Sequence, residues 1–341
     1  DLGSQAYSFK DAYIQGSLKI GDTSGSTYFQ FPTTTGTSGQ ILQVPSSGNV
    51  LEWTTGTGLD HFIDASGTGT VLVGHSTAPS GTASLNTSLG VKSLDSLTEG
   101  DNNTAVGHLA GSSITEGSSN VAIGARTLEN LTTGNYNIAI GDYAMQDDDT
   151  GSNNIAIGYE AAMDMNGATG LTLLGYQAGK ALSTDSSNTL IGNRAGSAIT
   201  TGSSNTAVGL NSMRDNTTGY QNTAMGHDAM LDCTTGFKNV SFGFQALQKT
   251  LTGSHNSAFG AGAMYQTTTA SDNTAVGRNA LYNINADQNT AVGVAAGQAS
   301  SSGTNNLSLG YNAQPSNSNN SNEVTLGNSS VTALRCQQTS I

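Results

Sequence analysis

Few side chains in this 341-residue sequence could do chemistry. Three of its five histidines, His75, His108 and His227, each follow a glycine directly. A metal site would need further ligands at close spacing, and no His-x-His pair or neighbouring cysteine supplies them. Asp147-Asp148-Asp149 invites a calcium reading, because carboxylate oxygens are hard ligands. It occurs once, without the repeated Gly-Gly-x-Gly-x-Asp of calcium β-rolls, so a solvated loop is the expectation. A polysaccharide-cleaving site would need acidic residues converging in a groove. Neither a nucleophile elbow nor a phosphate-binding loop is present. The expectation is a chain that is not an enzyme, with no cofactor and no metal.

What would position any of these groups is a repeat. Asn137-Ile138-Ala139-Ile140-Gly141 recurs as Asn154-Ile155-Ala156-Ile157-Gly158 and in variants along most of the chain. With the glycine as phase marker, 16 units run from Gly74 to Gly327, through Gly107, Gly124, Gly141, Gly158, Gly209 and Gly226. Thirteen of the 15 spacings are 17 residues; Gly74 to Gly90 and Gly277 to Gly293 are 16. Self-similarity at fixed period decides architecture before any local signal. The residue before the glycine is large and apolar in all 16 units, and the residue two before it is Ala or Ser in 12. Four before it, Asn stands in 13, among them Asn103, Asn120, Asn137, Asn154, Asn205 and Asn222. A second glycine, seven before the first, occurs in 10.

The unit reads as a short strand, a glycine turn, a second short strand and a second turn, with both glycines where the chain bends sharply or reaches positive φ. Seventeen residues are too few for helical repeats and suit one coil of a parallel β-solenoid or β-roll. About 16 coils stacked at ~4.8 Å make a rod of ~70–75 Å. In register, each Asn amide can donate to the next carbonyl along a ladder; the alternative is that Asn serves only its turn. One large apolar residue per coil, with small residues beside it, is a thin core for a chain that is 35% hydrophobic and holds 44 glycines. A parallel homotrimer would share a core among three rolls and bring backbones together at the small positions.

The remaining features follow the repeat. Residues 1–57 read as a β module or connector, with strands at Ser17–Ile20, Tyr28–Phe31 and Val50–Trp53, and with Trp53 a core plug rather than a ligand stacker. Residues 58–69 are a Gly/Thr/Ser-rich bridge, 70–327 the solenoid, and 328–341 a C-terminal segment. Around Met163–Gly167 the Thr-Thr-Gly turn is lost, and Leu171, Leu173 and Leu190 replace the usual Asn and small residues. Cys233 and Cys336 lie about six coils apart, roughly 30 Å, beyond disulfide reach in one chain. They read as small buried thiols, with Cys336 alternatively meeting its copies at a trimer axis. The net charge of −13, with 11 Lys+Arg, opposes nucleic-acid binding, and no apolar run is long enough to span a membrane. The chain begins at Asp1, as a processed product or a piece of a longer gene would.

Units of the form Asn-Thr-Ala-Val-Gly and Asn-Ile-Ala-Ile-Gly resemble the head repeats of trimeric autotransporter adhesins, which are trimeric left-handed parallel β-rolls. Leu2-Gly3-Ser4 with Phe9–Ser17, and Phe31–Leu42 with Gly48–Trp53, resemble bacteriophage tail-fibre segments. Asn322-Glu323-Val324-Thr325-Leu326-Gly327-Asn328-Ser329-Ser330-Val331-Thr332-Ala333-Leu334-Arg335-Cys336 resembles the stretch upstream of an endosialidase-type intramolecular chaperone. That domain trimerises fibres and cuts itself off at a serine, which makes Ile341 the expected processing end and leaves no protease in this chain. The resemblance implies an extracellular tail fibre of a virion. Its partners would be its own copies, other phage tail proteins, and a host surface glycan or outer-membrane protein. The alternative is the passenger of a bacterial trimeric autotransporter adhesin; a capsule depolymerase is a third reading.

Overall fold

In the computed structural model of the chain, residues 81–184 and 187–333 are described in full. The strands Ile41–Gln43, Glu52–Thr54, Ile63–Asp64 and Val71–Val73 are described as backbone. The chain divides into two compact units, Asp1–Ile63 and Asp64–Ile341. In the first, Ile41–Gln43 pairs antiparallel with Glu52–Thr54, in register Ile41 to Thr54. The expected strands at 17–20 and 28–31, the Trp53 side chain, His75, Cys336 and Ile341 lie outside the described residues.

The second unit is an all-β parallel solenoid of about 14 turns with a 17-residue period, and no helix occurs among the described residues. Each turn contributes one three-residue strand, and each strand pairs in parallel with those one period before and after it, as Ile138–Ile140 does with Val121–Ile123 and Ile155–Ile157. The 15 fully described strands from Thr87–Leu89 to Val324–Leu326 bound about 14 turns, within the 16 units expected. Val71–Val73, described as backbone, pairs in parallel with the first of them, in register Val71 to Thr87. Gly327, the last phase glycine, has φ 76° instead of the roughly 140° of its predecessors, and no further coil follows it among the described residues. Backbone bonds join neighbouring coils on every side, not only in the strands: Tyr143 N–H donates to Ala125 O, Met145 N–H to Ala161 O and Asn153 N–H to Asn135 O. Much of the backbone of the described coils is thereby paired without a helix.

The burial pattern reverses the expected core. Within a strand, neighbouring side chains point to opposite sides. Ala105, Ala139 and Ala207 at the strand centre are fully buried. The large residues on either side of them must therefore face out, and they do: Leu89 is 51% exposed, Leu174 45% and Ile155 38%. Large core side chains come instead from four and seven residues after the phase glycine. Leu128 and Leu131, Met145, Met213, and Leu247 are examples, all at 0% exposure. We refer to these columns as +4 and +7.

The route after the glycine explains the residue types. The Ala144 N–H donates to Gly141 O at 3.1 Å, closing a tight turn whose third residue, Tyr143, has φ 63° as a type II turn requires. Column +4 follows at φ near 50–60°, and a third left-handed position, such as Asn153, precedes each buried Asn four before the phase glycine. Although the chain is rich in Thr, Val and Ile, none of these stands at a left-handed position among the described residues. Branching at Cβ makes that conformation too costly.

The two glycines have different reasons. Gly107, Gly124, Gly141, Gly158, Gly209 and Gly226 have φ between 125° and 142°, and a Cβ on any of them would meet the next glycine's backbone at 2.7 Å or less. The second glycine, seven before the first, is not at positive φ, contrary to the joint explanation expected. At Gly117 and Gly219 the requirement is close approach alone, since a Cβ would lie 2.5 and 2.3 Å from the carbonyl oxygen one coil on.

Candidate functional site

The asparagine column is buried and bonded as a structural spine. Asn103, Asn120, Asn137, Asn154, Asn205 and Asn222 are at most 1% exposed. The Oδ1 of each accepts the backbone N–H one coil on: Asn103 from Asn120 at 3.0 Å, Asn137 from Asn154 at 3.1 Å, Asn205 from Asn222 at 3.0 Å. The Nδ2 donates to a turn carbonyl, as Asn103 does to Gly117 O at 2.8 Å and Asn205 to Gly219 O at 2.9 Å. Amide-to-amide donation occurs as well, from Asn120 to Asn103 and from Asn137 to Asn120, both at 3.1 Å. The main bonds are thus side chain to backbone. Each Asn satisfies two buried backbone groups, which would be costly if left unpaired. These residues hold the fold and offer nothing to a ligand.

The candidate chemical groups do not meet. Among the described residues, no group of three His, Cys, Asp or Glu side chains could hold a metal ion. His108 is exposed. His227 lies 3.3 Å from Asp228 and packs its ring 5.4 Å from Phe244. The Cys233 thiol is buried, and desolvation pushes it up to about 12, which makes it unreactive.

Asp148 corrects the solvated-loop expectation. Asp147 and Asp149 are exposed, but Asp148 occupies column +7 at 0% exposure. Its Oδ1 accepts from Gly151 N–H and Gly167 N–H, both at 2.9 Å, while its Oδ2 has no partner. Desolvation holds its carboxyl above the usual range, against the lowering effect of those bonds. The bond to Gly167 pins the altered turn of the next coil. Column +7 also carries Asn216, Cys233, Thr250 and Thr267 in consecutive coils, and the Thr250 and Thr267 hydroxyls are buried without a partner. No periodic signal marks this column, because its residue type changes from coil to coil.

The exterior is divided. The outward strand columns, one and three before the glycine, carry no charged residue from Thr87 to Leu326. With the residue just after the glycine, they hold most of the large exposed apolar side chains, including Ile123, Met225, Phe259 and Tyr176. In-register aromatic residues form stacks at several places: Tyr159 on Tyr176 (5.6 Å), Tyr220 on Phe237 (5.0 Å), Phe242 on Phe259 (5.3 Å) and Tyr265 on Tyr282 (5.0 Å). Polar groups close some of them. Arg194 lies over Tyr176 at 5.8 Å and Lys249 over Tyr265 at 5.4 Å. Lys180 bonds Glu160, and with Gln177 and Tyr159 it holds that carboxyl below its usual range. Near the C-terminal end, a shallow groove of about 310 Å³ runs between Gln288, Asn305 and Asn322 on one side and Thr290, Leu307 and Val324 on the other. No protein-family model, curated protein or solved structure matches the chain.

Proposed function

We propose that this chain is a structural and adhesive fibre protein of a bacteriophage tail, acting as a parallel homotrimer in host attachment. The observation that carries the reading is the outward strand face: about 14 turns of apolar and hydroxyl side chains, without a charge in its two strand columns. A contiguous apolar surface of that length is unusual on a monomer and marks an interface. Copies of the same chain share its period, so three parallel rolls can cover it coil for coil. The core inside each roll is closed by columns +4 and +7. The shared surface is therefore this strand face, not the small-residue positions. A stiff, uniform solenoid suits a mechanical role: it holds weak contacts away from the particle, and three copies multiply them into avidity. The phage assignment rests on the tail-fibre and chaperone-proximal resemblances. The repeat units keep an adhesin passenger as the second reading.

Sedimentation of the full chain tests the assembly. The expected mass is three times the 34.6 kDa protomer. Lysines at Ile155 and Met225, both exposed on the strand face, should give monomers that keep the solenoid's circular dichroism. A parent chain that stays monomeric at micromolar concentration would sink the reading. Antibodies to the chain should decorate phage tails; decoration of a bacterial outer surface instead would favour the adhesin.

A further inference from the structure

We propose that Tyr220, with Phe237 and His255 behind it, forms a notch on the solenoid wall that binds a neutral pyranose of a host surface polysaccharide. This deepens the attachment reading and rests on it. The site lies five and six residues before the phase glycine, beside the charge-free strand columns and not on them. In the other described coils, the position six before the glycine holds small or polar side chains such as Ser118, Asn135, Ser152, Ser254 and Ser271. Tyr220 and Phe237 interrupt this run with two rings 5.0 Å apart and 2° from parallel, and His255 meets Phe237 edge-on at 5.1 Å. Coils follow one another at ~4.8 Å, so rings stacked from coil to coil lie across the rod and turn their faces along it.

The inner face of Tyr220 is covered by Phe237, and its outer face points at the preceding coil, where Ser203 holds the same position. No ring or cation lies over that outer face among the described residues. The corresponding faces differ elsewhere: Arg194 covers Tyr176 and Lys249 covers Tyr265, while Phe242 and Phe259 belong to the strand face. Tyr220 is 40% exposed, and its backbone is held by Lys238 N–H donating to its carbonyl at 3.1 Å. Phe237 N–H donates to Ser254 Oγ at 3.2 Å, so the ring pair sits on fixed backbone.

A pyranose matches this arrangement. Its axial hydrogens make an apolar face that packs on an aromatic ring, and its hydroxyl rim needs polar partners. Ser203, Ser204 and Gln221 border the notch with hydroxyl and amide groups. The chain's net charge of −13 disfavours acidic sugars, and exposed Lys238 beside Phe237 can serve a neutral sugar's hydroxyls as a donor. One ring gives weak binding, and trimeric avidity makes weak binding sufficient.

The test uses the full chain. Methyl α-glucopyranoside, galactopyranoside and mannopyranoside are titrated singly by saturation-transfer NMR, and adherence of the fibre to host bacteria is measured in parallel. At least one sugar is expected to bind in the millimolar range, with affinity falling tenfold or more in Tyr220→Ala and kept in Tyr220→Phe. Tyr282→Ala, on a different column, should leave it unchanged. Equal sugar binding by Tyr220→Ala overturns the notch and leaves the attachment reading intact. Adherence to bacteria with none of the three sugars bound does the same. A chain that neither adheres to bacteria nor binds sugar overturns both.

Discussion

From Ala207 to Met264 each coil pairs a small strand centre with a large residue at +4: Ala207 with Met213, Ala224 with Met230, Ser241 with Leu247, Ala258 with Met264. Between Leu171 and Gly196 the sizes are exchanged, so that Leu173 goes with Gly179 and Leu190 with Gly196. A Cβ added to Gly196 would lie 2.7 Å from Ile199 Cδ1 and 2.8 Å from Leu190 Cδ1, so the isoleucine and the leucine together occupy the space that a +4 side chain fills elsewhere. Between these two regions the interior exchanges residues and keeps its volume, as a close-packed core allows; the rule is not general, since Ala105 goes with Gly111, Ala156 with Ala162 and Ala291 with Gly297. The asparagine spine breaks at the same place. Leu171 N–H still donates to Asn154 Oδ1 at 3.0 Å, but Leu171 has no side-chain oxygen to offer Asn188 N–H. Nearby, Gly167 and Gly170 at φ 77° and 70° reroute the turn, and Asp148 holds Gly167. The 16-residue unit makes the opposite kind of change. Its missing residue comes out of the turn at 284–288, while strand and spine stay in register, with Asn289 N–H donating to Asn273 Oδ1 at 2.8 Å.

What the two regions share should break both equally. Gly226→Ala puts a Cβ 2.5 Å from Gly243 O at φ 142°, and Gly175→Ala puts one 2.3 Å from Gly192 O at φ 140°. Each is expected to cost about 4 kcal/mol through backbone strain and overpacking. Hydrogen exchange should localise the loss to the neighbouring coils, because a solenoid is coupled to nearest neighbours. A much smaller loss at Gly175 would mean that the altered region has a different backbone.

Exchange of volume is the next test. Leu190→Ala alone should lose about 3 kcal/mol by leaving a cavity. Adding Gly196→Met, the pairing of the regular coils, should restore at least half of that in urea denaturation. No restoration would mean that the columns are not interchangeable.

Asn205→Leu copies the altered spine into a regular coil without its rerouted turn. It should cost about 2 kcal/mol, since Asn222 N–H and Gly219 O lose their partners. A neutral result would show that the rerouting around Gly167 is unnecessary.

The smallest effect expected is a gain. Asn216 occupies the same column as Asp148, and its Oδ1 accepts from Gly219 N–H at 2.8 Å as Asp148 Oδ1 accepts from Gly151 N–H. Asp148→Asn should therefore fit, and should add about 1 kcal/mol at pH 7 by removing a buried charge. The sign follows from the raised carboxyl. The folded state holds the proton more tightly than the unfolded state, so Asp148 favours folding most below the ordinary aspartate range. That contribution is lost as pH rises through the folded value. Thermal melts from pH 4 to pH 8 should lose this slope in Asp148→Asn, and an unchanged slope would place the titration elsewhere.

The period, the phase glycines and the parallel register were determined by the sequence itself. A 17-residue repeat with a glycine in every unit admits few backbones, and stacking in register makes the strands pair in parallel. Whether the strand's large residues faced in or out was decided only in three dimensions. A period of two says that Ile138 and Ala139 face opposite ways, but not which way is inward. The sense is set by the route after Gly141, where left-handed residues at +2 and +4 fold the chain back and bring +4 and +7 inside. The signal for that route was present as an exclusion, the lack of β-branched residues at those positions, and not as a repeated residue type. Asp148 was illegible for the same reason: two exposed acids flank it, and only the turn geometry buries the middle one. The face of Tyr220 likewise needed the stack, because ring contacts arise between residues a full coil apart, and which face stays open depends on the serine in the coil before.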